Sequence, residues 1–103
     1  MIIKIEPSPV KRKRFRVTMD NGKTYDFGFL GGSTYIDHHD KKLRENYLKR
    51  HLANETERTL ITNLVASPAT LSAFILWGRY TDLQKNINYL NGLWKKKHLG
   101  KII

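Results

Sequence analysis

The chain has 103 residues, with 19 lysines and arginines against 9 aspartates and glutamates, a formal net charge of +10, and no cysteine. That length fits one domain with a modest core and no cleft between domains, and the lack of cysteine excludes disulfides, thiolate metal sites and a cysteine nucleophile. A hydrophobic fraction of 40% is too rich for a disordered chain, so the surplus cations are expected to serve a polyanionic or acidic partner: a phosphate backbone, an anionic membrane face or an acidic protein surface.

Residues 1–12 read as an N-terminal strand and linker. Met1 to Ile5 is short and β-prone, a candidate third strand, and Pro7-Ser8-Pro9 stops a regular ladder. No basic segment precedes its apolar run and no stretch nears about 18 apolar residues, so neither a signal peptide nor a membrane span is expected.

Residues 13–29 predict an antiparallel hairpin. Phe15, Val17 and Met19 alternate as on a half-buried strand, and Asp20-Asn21-Gly22 reverses the chain. A two-residue Asn21-Gly22 loop would set Val17 against Asp26 and Phe15 against Gly28, wasting both apolar positions. A three-residue Asp20-Asn21-Gly22 loop, with Gly22 left-handed, sets Val17 against Tyr25 and Phe15 against Phe27, and places Arg16 across from Asp26.

Gly31-Gly32 breaks the strand, and the helical part is expected over 37–98. Asp37 with Asp40 predicts a capping box for a helix running to Leu52. Its apolar face is Leu43, Tyr47, Leu48, His51 and Leu52, and Lys41, Lys42, Arg44, Lys49 and Arg50 cover the rest. Asn54 with Glu57 predicts a second start, followed by Leu60, Ile61, Leu64 and Val65 at helical spacing. Ser67-Pro68 predicts a third, ending at a Gly78 cap. Between them Leu71 and Ala73 to Trp77 are apolar almost all round, which places the centre of the core there. Thr81 with Gln84 predicts the last start, with Leu83, Ile87, Leu90 and Trp94 on one stripe and Lys95, Lys96, Lys97 and His98 at the C-terminal end. The whole predicts an α+β fold of one domain, 1–103: an N-terminal antiparallel hairpin packed on a cluster of three to four helices.

Catalytic and cofactor chemistry finds little support. Asp37, His38, His39, Asp40 and His51 are metal-ligand types, but adjacent histidines point about 100 degrees apart on a helix and the aspartates have a sufficient role as caps. His51, one turn beyond Tyr47, reads as a hydrogen-bonded histidine at a core edge. Gly31-Gly32-Ser33-Thr34 lacks the lysine and spacing of a phosphate loop, and Trp77 and Trp94 lie on apolar faces that suit a core. The expectation is a non-enzymatic protein with no cofactor, no metal and no small-molecule substrate.

The candidate binding residues are therefore the cations: Lys11, Arg12, Lys13, Arg14 and Arg16 before and within the first hairpin strand, Lys41, Lys42, Arg44, Lys49 and Arg50 on the first long helix, and Lys95, Lys96 and Lys97 near the end. No zinc finger or paired exposed strand aromatics read bases. The lack of a base-reading motif favours a structural role in which these positive faces dock on acidic partners, with sequence-independent nucleic-acid binding as the alternative.

Asp20-Asn21-Gly22-Lys23, Phe27-Gly28, Gly32-Ser33 with Tyr35, His39-Asp40-Lys41, Tyr47 with Arg50-His51, and Leu76-Trp77 followed by Thr81 and Leu83 together resemble a family of small basic proteins. That family occurs in the large nucleocytoplasmic double-stranded DNA viruses of algae and other protists. The resemblance covers roughly residues 13 to 90. This chain lacks a Trp shortly after Glu55 and an Arg-Trp pair before Leu76. The family has no established activity, so the resemblance implies a setting and no catalytic residue: a basic virion structural protein, a minor capsid or core component. It would act in the virion and, during assembly, in the host cytoplasm or nucleus. Its partners would be other virion proteins, packaged nucleic acid or an anionic membrane surface.

Overall fold

A computed structural model describes residues 1–102, with side chains through Lys96. Three antiparallel strands, β1 (Ile2–Pro7), β2 (Lys13–Met19) and β3 (Thr24–Phe29), form a sheet in the order β1-β2-β3. The fold is α+β, since every strand precedes the helices that cover the sheet. The candidate third strand is present and runs on to Pro7, an edge position where its missing N–H costs no ladder bond.

The hairpin register is the one its apolar pattern requires. Val17 faces Tyr25, Phe15 faces Phe27 and Arg16 faces Asp26, while Gly22 takes the left-handed conformation at φ 86. The Met19 amide donates to the Lys23 carbonyl and the Gly22 amide to the Met19 carbonyl, which closes the three-residue loop. Val17 and Phe27 are fully buried as a result.

The helices begin where side chains cap them, though not always at the predicted residue. The expected Asp37–Asp40 box is displaced: Thr34 and Asp37 form the box of a short helix, α1 (Tyr35–His38), and His39 turns left-handed at φ 58. Asp40 then caps α2 (Lys41–Ala53) alone, accepting from the amides of Lys42 and Leu43. The single helix expected from Asp37 to Leu52 is thus two. On α2 Leu43 is exposed, and only Tyr47, Leu48, His51 and Leu52 of the expected apolar face are half-buried.

Asn54 caps α3 (Glu55–Thr62), accepting from the Glu57 amide as its spacing implied. Leu64 and Val65 fall outside this helix. Leu64 is left-handed at φ 55, its amide bonds to the Ile61 carbonyl and the Val65 amide to that of Leu60, which is the Schellman closure. Ser67 caps α4 (Pro68–Leu71), which passes into a π-helical turn, Ser72–Leu76, closed by the Trp77 amide on the Ser72 carbonyl. Gly78 is not a left-handed cap. It is required because a Cβ there would lie 2.0 Å from the Phe74 carbonyl oxygen and 2.8 Å from the Asn86 amide group. The last helix, α5 (Leu83–Ile102), starts from Asp82, which accepts from the Lys85 amide, and not from the expected Thr81–Gln84 pair.

The core joins sheet to helices in one cluster, with Val17, Met19 and Phe27 meeting Leu71, Ile75, Leu76, Ile87 and Leu90. Asn86 sits fully buried behind it and fixes the chain reversal into α5 through the carbonyls of Ile75 and Tyr80 and the amide of Tyr80. Trp94 packs at the edge and donates its indole N–H to the Leu64 carbonyl at 2.7 Å. Trp77, expected in the core, is half-buried and stacks on Tyr47 with centroids 4.3 Å apart.

Candidate polyanion-binding groove

The structure divides the candidate cations into those with internal acceptors and those facing solvent. Arg14 belongs to the first group. Its two terminal nitrogens donate to both oxygens of Asp37 at 2.7 Å each, and one also reaches the Thr34 hydroxyl. Arg14 holds the Asp37 carboxyl far below its ordinary value of 3.8, against the opposing effect of burial, and Thr34 assists through its amide and hydroxyl. Arg16 makes a second bidentate pair with Asp26 at 3.0 and 3.1 Å. Hydrogen bonds from Arg16 and then from the Ser8 hydroxyl lower the Asp26 carboxyl as well. Arg44 donates Nε to the carbonyls of Trp77 and Gly78 at 3.0 and 2.8 Å, and its guanidinium lies 5.6 Å from the Tyr35 ring centroid. These three arginines hold the fold together.

Lys11, Arg12 and Lys13 remain exposed. They do not form a loose arm. The Lys13 amide bonds back to the Val10 carbonyl and the Leu30 amide bonds to the Arg12 carbonyl, so the segment is a tight turn tied to the end of β3. Arg12 is left-handed at φ 71, a conformation that costs an L-residue about 1–2 kcal/mol. Strain of this kind gathers at functional positions when the surrounding structure enforces it.

Lys13 is the ladder partner of Phe29, which is 67% exposed. Arg12, Lys13 and Phe29 form one wall of an open groove of about 730 Å³; Tyr47 and His51 of α2, Glu57 and Leu60 of α3, and Ser67 to Ala69 with Ser72 form the rest. Inside it, His51 Nδ1 lies 2.6 Å from Glu57 Oε2, and Tyr47 stacks on the imidazole with centroids 4.1 Å apart. Burial first, then the Glu57 charge, push the Tyr47 phenol up to about 12, so it stays neutral. With Nδ1 committed to the carboxylate, Nε2 is the ring nitrogen left to meet a ligand.

The other predicted clusters lie elsewhere. Lys41, Lys42, Lys49 and Arg50 are exposed on α2, with Lys42 3.9 Å from Glu45, and none of them lines the groove. Lys95 lines a separate crevice with Met1, Asp20 and Trp94, Lys96 is exposed, and the side chains of Lys97 and His98 lie outside those described. The groove thus unites two predicted cations with residues that sequence reasoning assigned to structure, above all Phe29 and Glu57. A signal for Phe29 existed, because extending the three-residue-loop register two places places it opposite Lys13.

The histidine group does not assemble a metal centre: among the described residues no cluster of three or more potential ligands exists. His38 Nδ1 accepts from the Asp40 amide, and its Nε2 is buried without a partner between the rings of Tyr35 and Trp77. No helix among the described residues is long and apolar enough to cross a membrane.

Residues 3–51 match the model of a family of unknown function, DUF5754. The matched segment holds Arg12, Lys13, Phe29, Tyr47 and His51 and ends before Glu57. No curated protein and no solved structure matches the chain.

Proposed function

We propose that this protein is a non-enzymatic, sequence-independent binder of nucleic-acid phosphates. The observation that carries the reading is the use of its acidic residues. Glu6, Asp20, Asp26, Asp37 and Glu45 are engaged in ion pairs, Glu57 is hydrogen-bonded to His51, and Asp40 and Asp82 cap helices. The surplus positive charge therefore faces outward with little carboxylate left to neutralise it, which is the electrostatic footprint of a phosphate binder.

Salt titration of binding to short oligonucleotides tests this. The slope of log affinity against log salt should be about −0.7 per phosphate on single strands and about −0.9 on duplex. Changing Lys11, Arg12 and Lys13 together to Gln should weaken binding and flatten the slope by about 2. Affinity that stays level between low and physiological salt would overturn the reading.

A second reading, a virion structural part docking on an acidic protein, draws support from Val10 and Leu30. Both are exposed apolar residues flanking the same basic turn, where a protein surface would bury them. Under it, the triple variant should fold normally and fail to enter particles while oligonucleotide binding is weak in the parent.

A further inference from the structure

The phosphate-binding reading leaves open why an exposed phenylalanine and a histidine–carboxylate pair share a groove with Arg12 and Lys13. Phe29 cannot be explained as core, since two thirds of it faces solvent. A duplex offers its phosphates but hides its base faces; a single strand offers both. An aromatic face beside cations, at a spacing set by the Lys13–Phe29 ladder pair, suits a base stacked next to its own phosphate.

His51 stands across the same groove. When neutral and donating Nδ1–H to Glu57, it presents a lone pair at Nε2, which repels a phosphate oxygen. When protonated it keeps the Glu57 bond and gains an Nε2–H donor. The charged and titratable groups around it are Glu57 from α3, Tyr47 from its own helix, Arg50 next in sequence, and Arg12 and Lys13 from the sheet side. Pro68, Ala69 and Ser72 contribute none. Phosphate entering beside Glu57 therefore favours the protonated imidazole, and binding takes up a proton.

We propose that the groove is a subsite for single-stranded nucleic acid, with one base stacked on Phe29 and the adjoining phosphate held by Arg12, Lys13 and protonated His51. The proposal rests on the phosphate-binding reading above.

The test uses the full chain with fluorescent oligothymidylate and a duplex of equal length. Phe29→Ala should weaken single-strand binding about tenfold, one base-stacking interaction, leave duplex binding unchanged, and be rescued by Phe29→Trp. Parent affinity for the single strand should rise about five- to tenfold from about pH 8 to about pH 5.5, the interval in which histidines generally gain a proton, and His51→Gln should abolish that rise. If the parent binds neither strand form, both readings fall. If it binds in a salt-dependent way but Phe29→Ala and His51→Gln behave as the parent, the phosphate reading stands and the groove subsite is overturned. Equal loss of duplex and single-strand affinity in Phe29→Ala would overturn the stacking role and point to a protein partner for this face.

Discussion

Replacing Arg14 by Gln should destabilise the protein, although its neighbour Lys13 can be replaced with almost no effect. Arg14 makes two 2.7 Å bonds to Asp37, and the same carboxylate accepts from the Thr34 amide and hydroxyl to start α1. Charge-assisted bonds contribute about 1.5–3 kcal/mol each when dry. Here 20% of the arginine and 34% of the aspartate side chain remain exposed, so solvent screens the pair. Loss of both bonds and loosening of the cap should cost about 2 kcal/mol in total. For a domain of this size that lowers the melting midpoint by about 10 °C, while Lys13→Gln should stay within about 0.5 kcal/mol of the parent. Acid supplies the second check. The folded Asp37 carboxyl is depressed below 3.8, so its stabilisation is complete above that pH and declines as pH falls beneath it. The gap between parent and Arg14→Gln, followed by circular dichroism melts, should therefore be widest near neutrality and shrink below about pH 4. Melts within about 2 °C of each other at neutral pH, or a gap indifferent to acid, would refute the structural role of the pair.

Gly78→Ala should prevent folding or lower the midpoint severely, because the new methyl would collide with the Phe74 carbonyl and the Asn86 hub. Gly92→Ala on α5, where nothing lies within 4 Å, should raise stability by about 0.5–1 kcal/mol in the same melting assay. Arg12→Gly should also stabilise, by about 0.5–1 kcal/mol, by relieving the left-handed arginine, while weakening oligonucleotide binding measured by anisotropy. A variant that gains affinity along with stability would remove Arg12 from the groove.

The hairpin was legible to the residue because period-two alternation allows only one register that buries Phe15, Val17, Tyr25 and Phe27 together. The helix starts at Asn54 and Ser67 were legible to the residue, whereas the first and the last were displaced by a few residues. Asp37 can serve as the N3 acid of Thr34 or as a cap in its own right, and only the reach of Arg14 from β2 settles the choice. Likewise Asp82 competes with Thr81 one residue away. The π-helical turn and the fit of Gly78 against Asn86 depend on packing between segments far apart in sequence, which no local pattern encodes. The candidate site was half legible: charge identified Lys11 to Lys13, but whether a given arginine faces solvent or an aspartate is a tertiary fact.

That division follows side-chain chemistry. Arg14 and Arg16 each grip a carboxylate with two nitrogens, which the planar guanidinium fork allows and a lysine ammonium on its flexible stem does much less well, and Arg44 shares its Nε–H between two carbonyls. Three of the seven arginines are thus held where the fold needs geometry, and the exposed cations among the described residues, ten lysines against Arg12, Arg50, Arg58 and Arg79, are dominated by point charges. Such charges hold phosphates from many directions and read no base edge, since bidentate contacts of the kind arginine makes with guanine carry that information. An aromatic face such as Phe29 is equally tolerant, because every base has a π-face. Under the phosphate-binding proposal, the predominance of lysine among the exposed cations favours affinity without sequence preference.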